Sequence, residues 1–138
     1  MIVVDGRTEY DKLVELLGVP EETHLDLKAH VDMASAEDKL KLVKDIVAMS
    51  NRPPGGYILI GVDDNGNPCM PIGTIPDRKR FDGARLGDLV RKYIEGEIHV
   101  SVAIHEHKGN EIVVVFVPKH RDGLPVPMNW PPSPSKAR

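Results

Sequence analysis

The acid pair Glu21-Glu22, Asp26 with Lys28 two residues on, and a second acid pair at Asp63-Asp64 are the residues of this chain whose types and spacing suit reaction chemistry. Asp26 and Lys28 sit at alternate positions of a stretch that itself alternates between apolar and polar, so on a strand both side chains leave one face. Carboxylates from two separate strands offer a magnesium or manganese ion hard oxygen ligands and leave positions open for water and phosphate. In such a site Lys28 would stabilise a developing phosphate charge or orient water. The alternative is an ion-pair cluster in which Lys28 neutralises the acids around it.

Other motifs carry less. Gly55-Gly56 permits backbone conformations that other residues resist, and a turn of free N–H groups could approach a phosphate. The plainer reading is a tight helix-to-strand connection. The spacing GxxxxGK[ST] is absent, and the turn follows a helix instead of preceding one, so ATP binding is not expected. Asn51 reads as the end of that helix. His99, His105 and His107 share one strand face by parity, but no third ligand is identifiable by spacing, and polar surface is the simpler reading. No serine sits in a recognisable nucleophile turn.

The elements that must position these residues follow from periodicity. Thr8 is placed to cap a first helix with Tyr10, Leu13, Val14 and Leu17 on one face, ended by Gly18 and Pro20. His24 to Asp32 alternates as a half-buried strand, with Leu25, Leu27, Ala29 and Val31 opposite the polar set. Ser35 precedes Glu37 and Asp38 as an N-cap with acids in the first turn, and Leu40, Val43, Ile46 and Val47 continue the helical period. Tyr57 to Val62 is apolar throughout and reads as a strand covered on both faces. Asn65-Gly66 is a turn. Asp82 is placed to cap a third helix built on Leu86, Leu89, Val90, Tyr93 and Ile94. Ile98 to His107, a turn at Gly109-Asn110 and Glu111 to Val117 make a hairpin. The expected fold class is α+β, with a mixed central sheet flanked by helices in the order α-β-α-β-α-β-β.

With 138 residues, 41% hydrophobic and 28% charged, the chain is expected to form one soluble domain over residues 1–122, followed by a Pro-rich linker or tail at 123–138 that holds Trp130. No apolar run approaches the roughly 20 residues needed to cross a bilayer. No membrane association and a cytoplasmic location are expected. Cys69 is the only cysteine, so no internal disulfide can form. The formal net charge of -3 hides a segregation of sign. Residues 1–38 hold ten acids against Arg7, Lys12 and Lys28, whereas 74–92 hold Arg78, Lys79, Arg80, Arg85, Arg91 and Lys92 against Asp77, Asp82 and Asp88. Such segregation builds a local basic surface beside an acidic pocket, or else two ordinary solvated helix faces.

Asp26-Leu27-Lys28, the helix end Lys44-Asp45-Ile46-Val47-Ala48-Met49-Ser50-Asn51, Gly55-Gly56-Tyr57 and Gly61-Val62-Asp63-Asp64 together resemble the Schlafen-type Alba-like domain. The resemblance covers roughly residues 15–120. It implies an Alba-like fold and a module of the kind found at the N-terminus of bacterial and phage DNA-binding regulators and in Schlafen RNases. The three-carboxylate site of those RNases would fall on Glu21 or Glu22, on Asp26, and on Asp63 or Asp64. The family commonly places glutamate before an aromatic-Lys pair, where this chain has Asp26, Leu27 and Lys28.

The expected function is nucleic-acid binding, to DNA or RNA, in which Arg78, Lys79, Arg80, Arg85, Arg91 and Lys92 engage phosphates with Lys28 and Lys44 as additions. Few aromatics are present for base stacking. One alternative is a ribonuclease dependent on Mg or Mn, with Glu21, Glu22, Asp26, Lys28, Asp63 and Asp64 as its site and Asp26, Asp63 and Asp64 as metal ligands. Another is a homo-oligomer or docking module in which acids and bases pair across subunits.

Overall fold

A computed structural model describes residues 2–69, 78–94 and 98–119. The proposed tail at 123–138, with Trp130, lies outside the described residues. The elements run α1 (Tyr10–Leu16), β1 (Leu25–Lys28), α2 (Ala36–Ser50), β2 (Gly55–Ile60), a 3-10 turn (Arg78–Arg80), α3 (Gly83–Arg91), β3 (Ser101–His107) and β4 (Asn110–Pro118). This is the expected α+β order. The sheet is mixed, in the order β1-β2-β4-β3. β1 is parallel to β2, while β4 is antiparallel to both β2 and β3.

The two sheet faces bury different partners, as the side-chain alternation of a strand requires. Ile58 and Ile60 of β2 and Val113 and Val115 of β4 pack against Val43, Ile46 and Val47 of α2 and Leu86 and Val90 of α3. Tyr57, Leu59, Ile112 and Val114 turn the other way, against Leu13 and Leu16 of α1, with Ile2, Val4 and Phe116 at the margin. β2 therefore lies between two strands and between two layers, and every residue in it is buried. The continuous apolar run in the sequence is the signature of that position.

Local chemistry sets the element ends. Ser35 Oγ accepts from the Asp38 N–H at 3.2 Å, and Asp82 Oδ1 accepts from the Arg85 N–H at 2.7 Å, so both expected caps are in place. The Gly55-Gly56 pair is a packing requirement. Gly55 has φ +93°, and a Cβ there would meet Val117 O at 2.1 Å. A Cβ on Gly56 would lie 2.4 Å from Met49 Sδ and 2.5 Å from His24 O.

Several expectations need correction. β2 runs Gly55–Ile60 instead of 57–62, so the paired glycines belong to the strand and not to a turn before it, and β3 begins at Ser101 instead of Ile98. The N-cap of α1 is Glu9, not Thr8, and Tyr10 and Val14 are exposed while Lys12 is fully buried. The reason is tertiary: Lys12 Nζ donates to Val3 O at 2.6 Å and to Glu15 Oε2 at 2.7 Å, which turns the helix about its axis. β1 ends at Lys28 instead of reaching Asp32, because the Gly61 and Val62 N–H groups both converge on Lys28 O and the pairing register ends there. α3 ends at Arg91, although Ile94 beyond it is still buried. The hairpin loop is Lys108-Gly109, one residue before the expected Gly109-Asn110, and Asn110 pairs with His107. No helix among the described residues is long and apolar enough to cross a membrane.

Candidate functional site

β1 is a rim strand, so the polar side chains on its α2-facing side reach the edge of the core instead of its centre. Asp26 and Lys28 leave that side together, and α2 brings Asp45 against them. Lys28 Nζ forms an ion pair with Asp45 and stands 3.4 Å from Asp26 Oδ2. The turn before β1 folds back so that Glu21 Oε2 accepts the Leu27 N–H at 2.9 Å. Glu21, Glu22, Leu25, Asp26, Asp45, Ala48, Met49 and Arg52 line a pocket of about 200 Å³.

Glu21 and Asp26 hydrogen-bond to each other through their carboxyl groups. Two carboxyl groups that interact directly disfavour the state in which both are ionised, which keeps a proton on the pair to higher pH than on a lone carboxyl. Burial first, and then the bond with Glu21, push Asp26 up to about 7 against the pull of Lys28. The bond from Asp26 and then the Leu27 N–H lower Glu21 below its ordinary value. Burial alone would lower Lys28, but Asp45 and Asp26 outweigh it and raise the ammonium. Asp26 Oδ2 is buried and makes no hydrogen bond. The pair thus holds a proton donor and an acceptor side by side, next to a firmly charged ammonium.

The structure separates the two acids that the sequence leaves as alternatives. Glu21 is the one that meets Asp26, while Glu22 Oε1 takes the Ile2 N–H at 3.4 Å and its backbone bridges Leu25. Asp63 Oδ1 accepts the N–H groups of Asn65 and Asn67 at 2.9 and 3.0 Å, holding its own turn closed. Asp64 is exposed on the same loop. The charges of these two raise the nearby Cys69 thiol, after burial. Among the described residues no group of three or more His, Cys, Asp or Glu side chains is placed to hold a metal ion.

Asp45 and Arg52 are the site residues that sequence reasoning missed. Asp45 borders the buried stripe of Leu42, Ile46 and Met49 on α2, and that flanking position, with its place in the helix-end motif, is the signal it carried. Arg52 lies one residue beyond the helix cap and donates to Thr23 O at 3.1 Å.

The cations expected to meet phosphate fall into two groups. Arg78, Lys79, Arg80, Arg85, Arg91 and Lys92 are all exposed along the 3-10 turn and α3, whose apolar side faces the core. Arg78 pairs with Glu111, Arg85 with Asp82 and Arg91 with Asp88, and Arg80 Nη1 donates to Met33 O at 2.6 Å. Lys28 is held by the acidic pocket, and Lys44 is exposed on α2. His105 and His107 face the N-terminal segment: His105 Nε2 donates to Thr8 O at 2.6 Å, and Tyr10 Oη lies 2.7 Å from His107 Nδ1. These contacts tie β3 to the start of α1.

The model of the Schlafen, AlbA_2 family matches residues 21–129. The solution structure of the N-terminal domain of a RecG-related protein from Nitrosomonas europaea is similar at 25% identity. It covers 93% of this chain and 84% of that one, with a TM-score of 0.59. The crystal structure of the DIP2311 protein from Corynebacterium diphtheriae is similar in fold at 14% identity, with a TM-score of 0.57. That match covers 86% of this chain but only 22% of the other, so this chain spans about a fifth of that protein's length. No curated protein shows significant sequence similarity.

Proposed function

Because the chain belongs to the Schlafen, AlbA_2 family, we propose that it is a nucleic-acid-binding module that holds DNA or RNA by its phosphates, as part of a regulator. One observation carries the reading: six cations stand exposed along the 3-10 turn and α3 while the opposite side of that helix is buried. A surface of this kind positions a phosphate backbone without reading bases. Three of its arginines are paired with acids, but exposed pairs contribute only about 0–1 kcal/mol each, so a polyanion that releases its counterions can displace them. The RecG-related neighbour is named for a relation to a DNA helicase, which agrees with this class of partner. The test is fluorescence anisotropy with labelled single- and double-stranded oligonucleotides across a salt series. Binding that is absent at low salt, or that does not weaken as salt rises, rejects the reading.

A second reading, cleavage of RNA at the acidic pocket, is favoured by the grouping of Glu21, Asp26, Lys28 and Asp45 at one rim of the sheet, with Asp26 raised by burial and by Glu21. A carboxyl that titrates at about 7 can give or take a proton at physiological pH. Lys28 beside it would offset charge on a phosphate. Incubation of the purified chain with RNA, with and without manganese, separates this reading from binding alone.

A further inference from the structure

The two rims of the sheet are finished differently. Along β1, the outward N–H and C=O of Leu25 bond to the Glu22 backbone at 3.1 and 3.0 Å, and the outward N–H of Leu27 bonds to Glu21 Oε2 at 2.9 Å. That rim is closed by its own chain. β3 is less protected: Ser101–His107 contains no proline, lysine or arginine, its one carboxylate is Glu106 near the hairpin end, and among the described residues no strand pairs with its outer side. Chains that stay single usually blunt a long rim strand with one of these features.

The hairpin loop determines which groups of β3 face outward. Lys108 and Gly109 both have positive φ, 53° and 87°, the geometry of a two-residue loop whose flanking pair, His107 and Asn110, is hydrogen-bonded. Bonded and non-bonded pairs alternate along an antiparallel ladder, so Ser101, Ala103, His105 and His107 spend their backbone groups on β4. Val102, Ile104 and Glu106 point theirs away from the sheet. The side chains of Val102 and Ile104 are only half-buried, although they pack on the core shared with α2 and α3.

We propose that this rim pairs with the same rim of a second copy of the chain, antiparallel, about a two-fold axis at Ile104. Self-complementarity argues for a second copy over an unrelated strand. An axis at Ile104 sets Ile104 against Ile104 and Val102 against Glu106, so all three outward residues of each copy meet an outward residue of the other. On the other face it sets Ala103 against His105, small against large. Moving the axis to Glu106 would oppose two carboxylates, which destabilises a pair. Moving it to Ala103 or His105 would carry one outward residue past the end of the strand. The resulting eight-stranded sheet would have β1 at both ends, each already closed.

The test is the mass of the full chain by sedimentation velocity over a wide range of concentration. Wild type should approach twice the mass of one chain, and Ile104→Lys should weaken the dimer at least about tenfold with an unchanged far-UV spectrum. A cysteine trap covers the case in which Ile104→Lys fails to fold. On a Cys69→Ser background, Ile104→Cys should cross-link two copies under mild oxidation, because a bonded antiparallel pair holds its Cα atoms about 5.5 Å apart. Val102→Cys, which faces Glu106, should not. A wild type of single-chain mass at every concentration, a dimer untouched by Ile104→Lys, or equal cross-linking of the two cysteine variants overturns the proposal.

Discussion

The Lys12 ammonium lies 5.0 Å from the centroid of the Tyr57 ring, joining a buried cation of α1 to the central strand. Around this contact the Tyr57 hydroxyl shares its one proton between two acceptors in reach, Asp5 Oδ1 at 3.0 Å and Arg7 O at 2.8 Å, and Lys12 lies 3.4 Å from Asp5. The N-terminal segment is therefore part of the folded unit, although the family match begins only at residue 21. Lys12→Met keeps most of the stem but removes the ammonium from Asp5, Glu15 and Val3 O. Because Arg7 still serves Asp5 and Glu15, and Tyr57 still serves Asp5, the cost should be about 1–3 kcal/mol, below the range for a fully buried pair. Denaturant unfolding measures this, and a cost near zero would show that the network is dispensable.

Asp26 gives a pH dependence of definite sign. Its pKa is raised in the folded chain to about 7, so between roughly 4 and that value the folded state holds a proton the unfolded state has lost. The stability contributed by Asp26 therefore falls as pH rises through this window. Asp26→Asn removes the titration and keeps a donor for Glu21. The Tm of the variant relative to wild type should become more favourable from pH 5 to pH 8; a difference that is flat or that runs the other way would refute the shared proton.

Replacing Arg78, Lys79 and Arg80 together by alanine should weaken oligonucleotide binding for every sequence tested. If all three contact phosphate, the slope of log affinity against log salt should drop by roughly 2 to 3. An unchanged slope moves the binding surface elsewhere.

For cleavage, Glu21→Gln and Asp26→Asn should each abolish any RNA hydrolysis shown by the wild type, with the far-UV spectrum retained. Asp63→Asn should leave it largely intact, since Asp63 serves its own turn. Should Asp63→Asn be as damaging as Asp26→Asn, the active carboxylates are not those of this pocket.

Gly56→Ala tests the packing account of the paired glycines. A Cβ there meets a backbone carbonyl that cannot move away easily, so the cost should be about 1–3 kcal/mol. Thermal unfolding that is unaltered would return these glycines to a ligand role.

The sequence is legible where local chemistry decides and opaque where distant residues do. The alternation read over 24–32 placed Asp26 and Lys28 on one face, the unbroken run at 57–62 marked a strand buried on both sides though it ends at Ile60, and Ser35 and Asp82 announced their helices. Lys12 could not be foreseen as buried, because its partners Val3 and Glu15 act only once the N-terminal segment is laid over the sheet. The approach of Asp45 to Lys28 and of Glu111 to Arg78 depends on how α2 and the hairpin pack, and neither pair has a spacing that the chain alone reveals. The choice of Glu21 over Glu22 turned on one backbone N–H, that of Leu27, facing away from the sheet.

That bond from Leu27 to Glu21 also limits growth. A sheet with two open rims can add chains without end, which is the route to fibres. Here Glu21 and Glu22 stop one direction, so whatever joins the other rim meets a terminus beyond it, and association through the strands has a built-in upper limit.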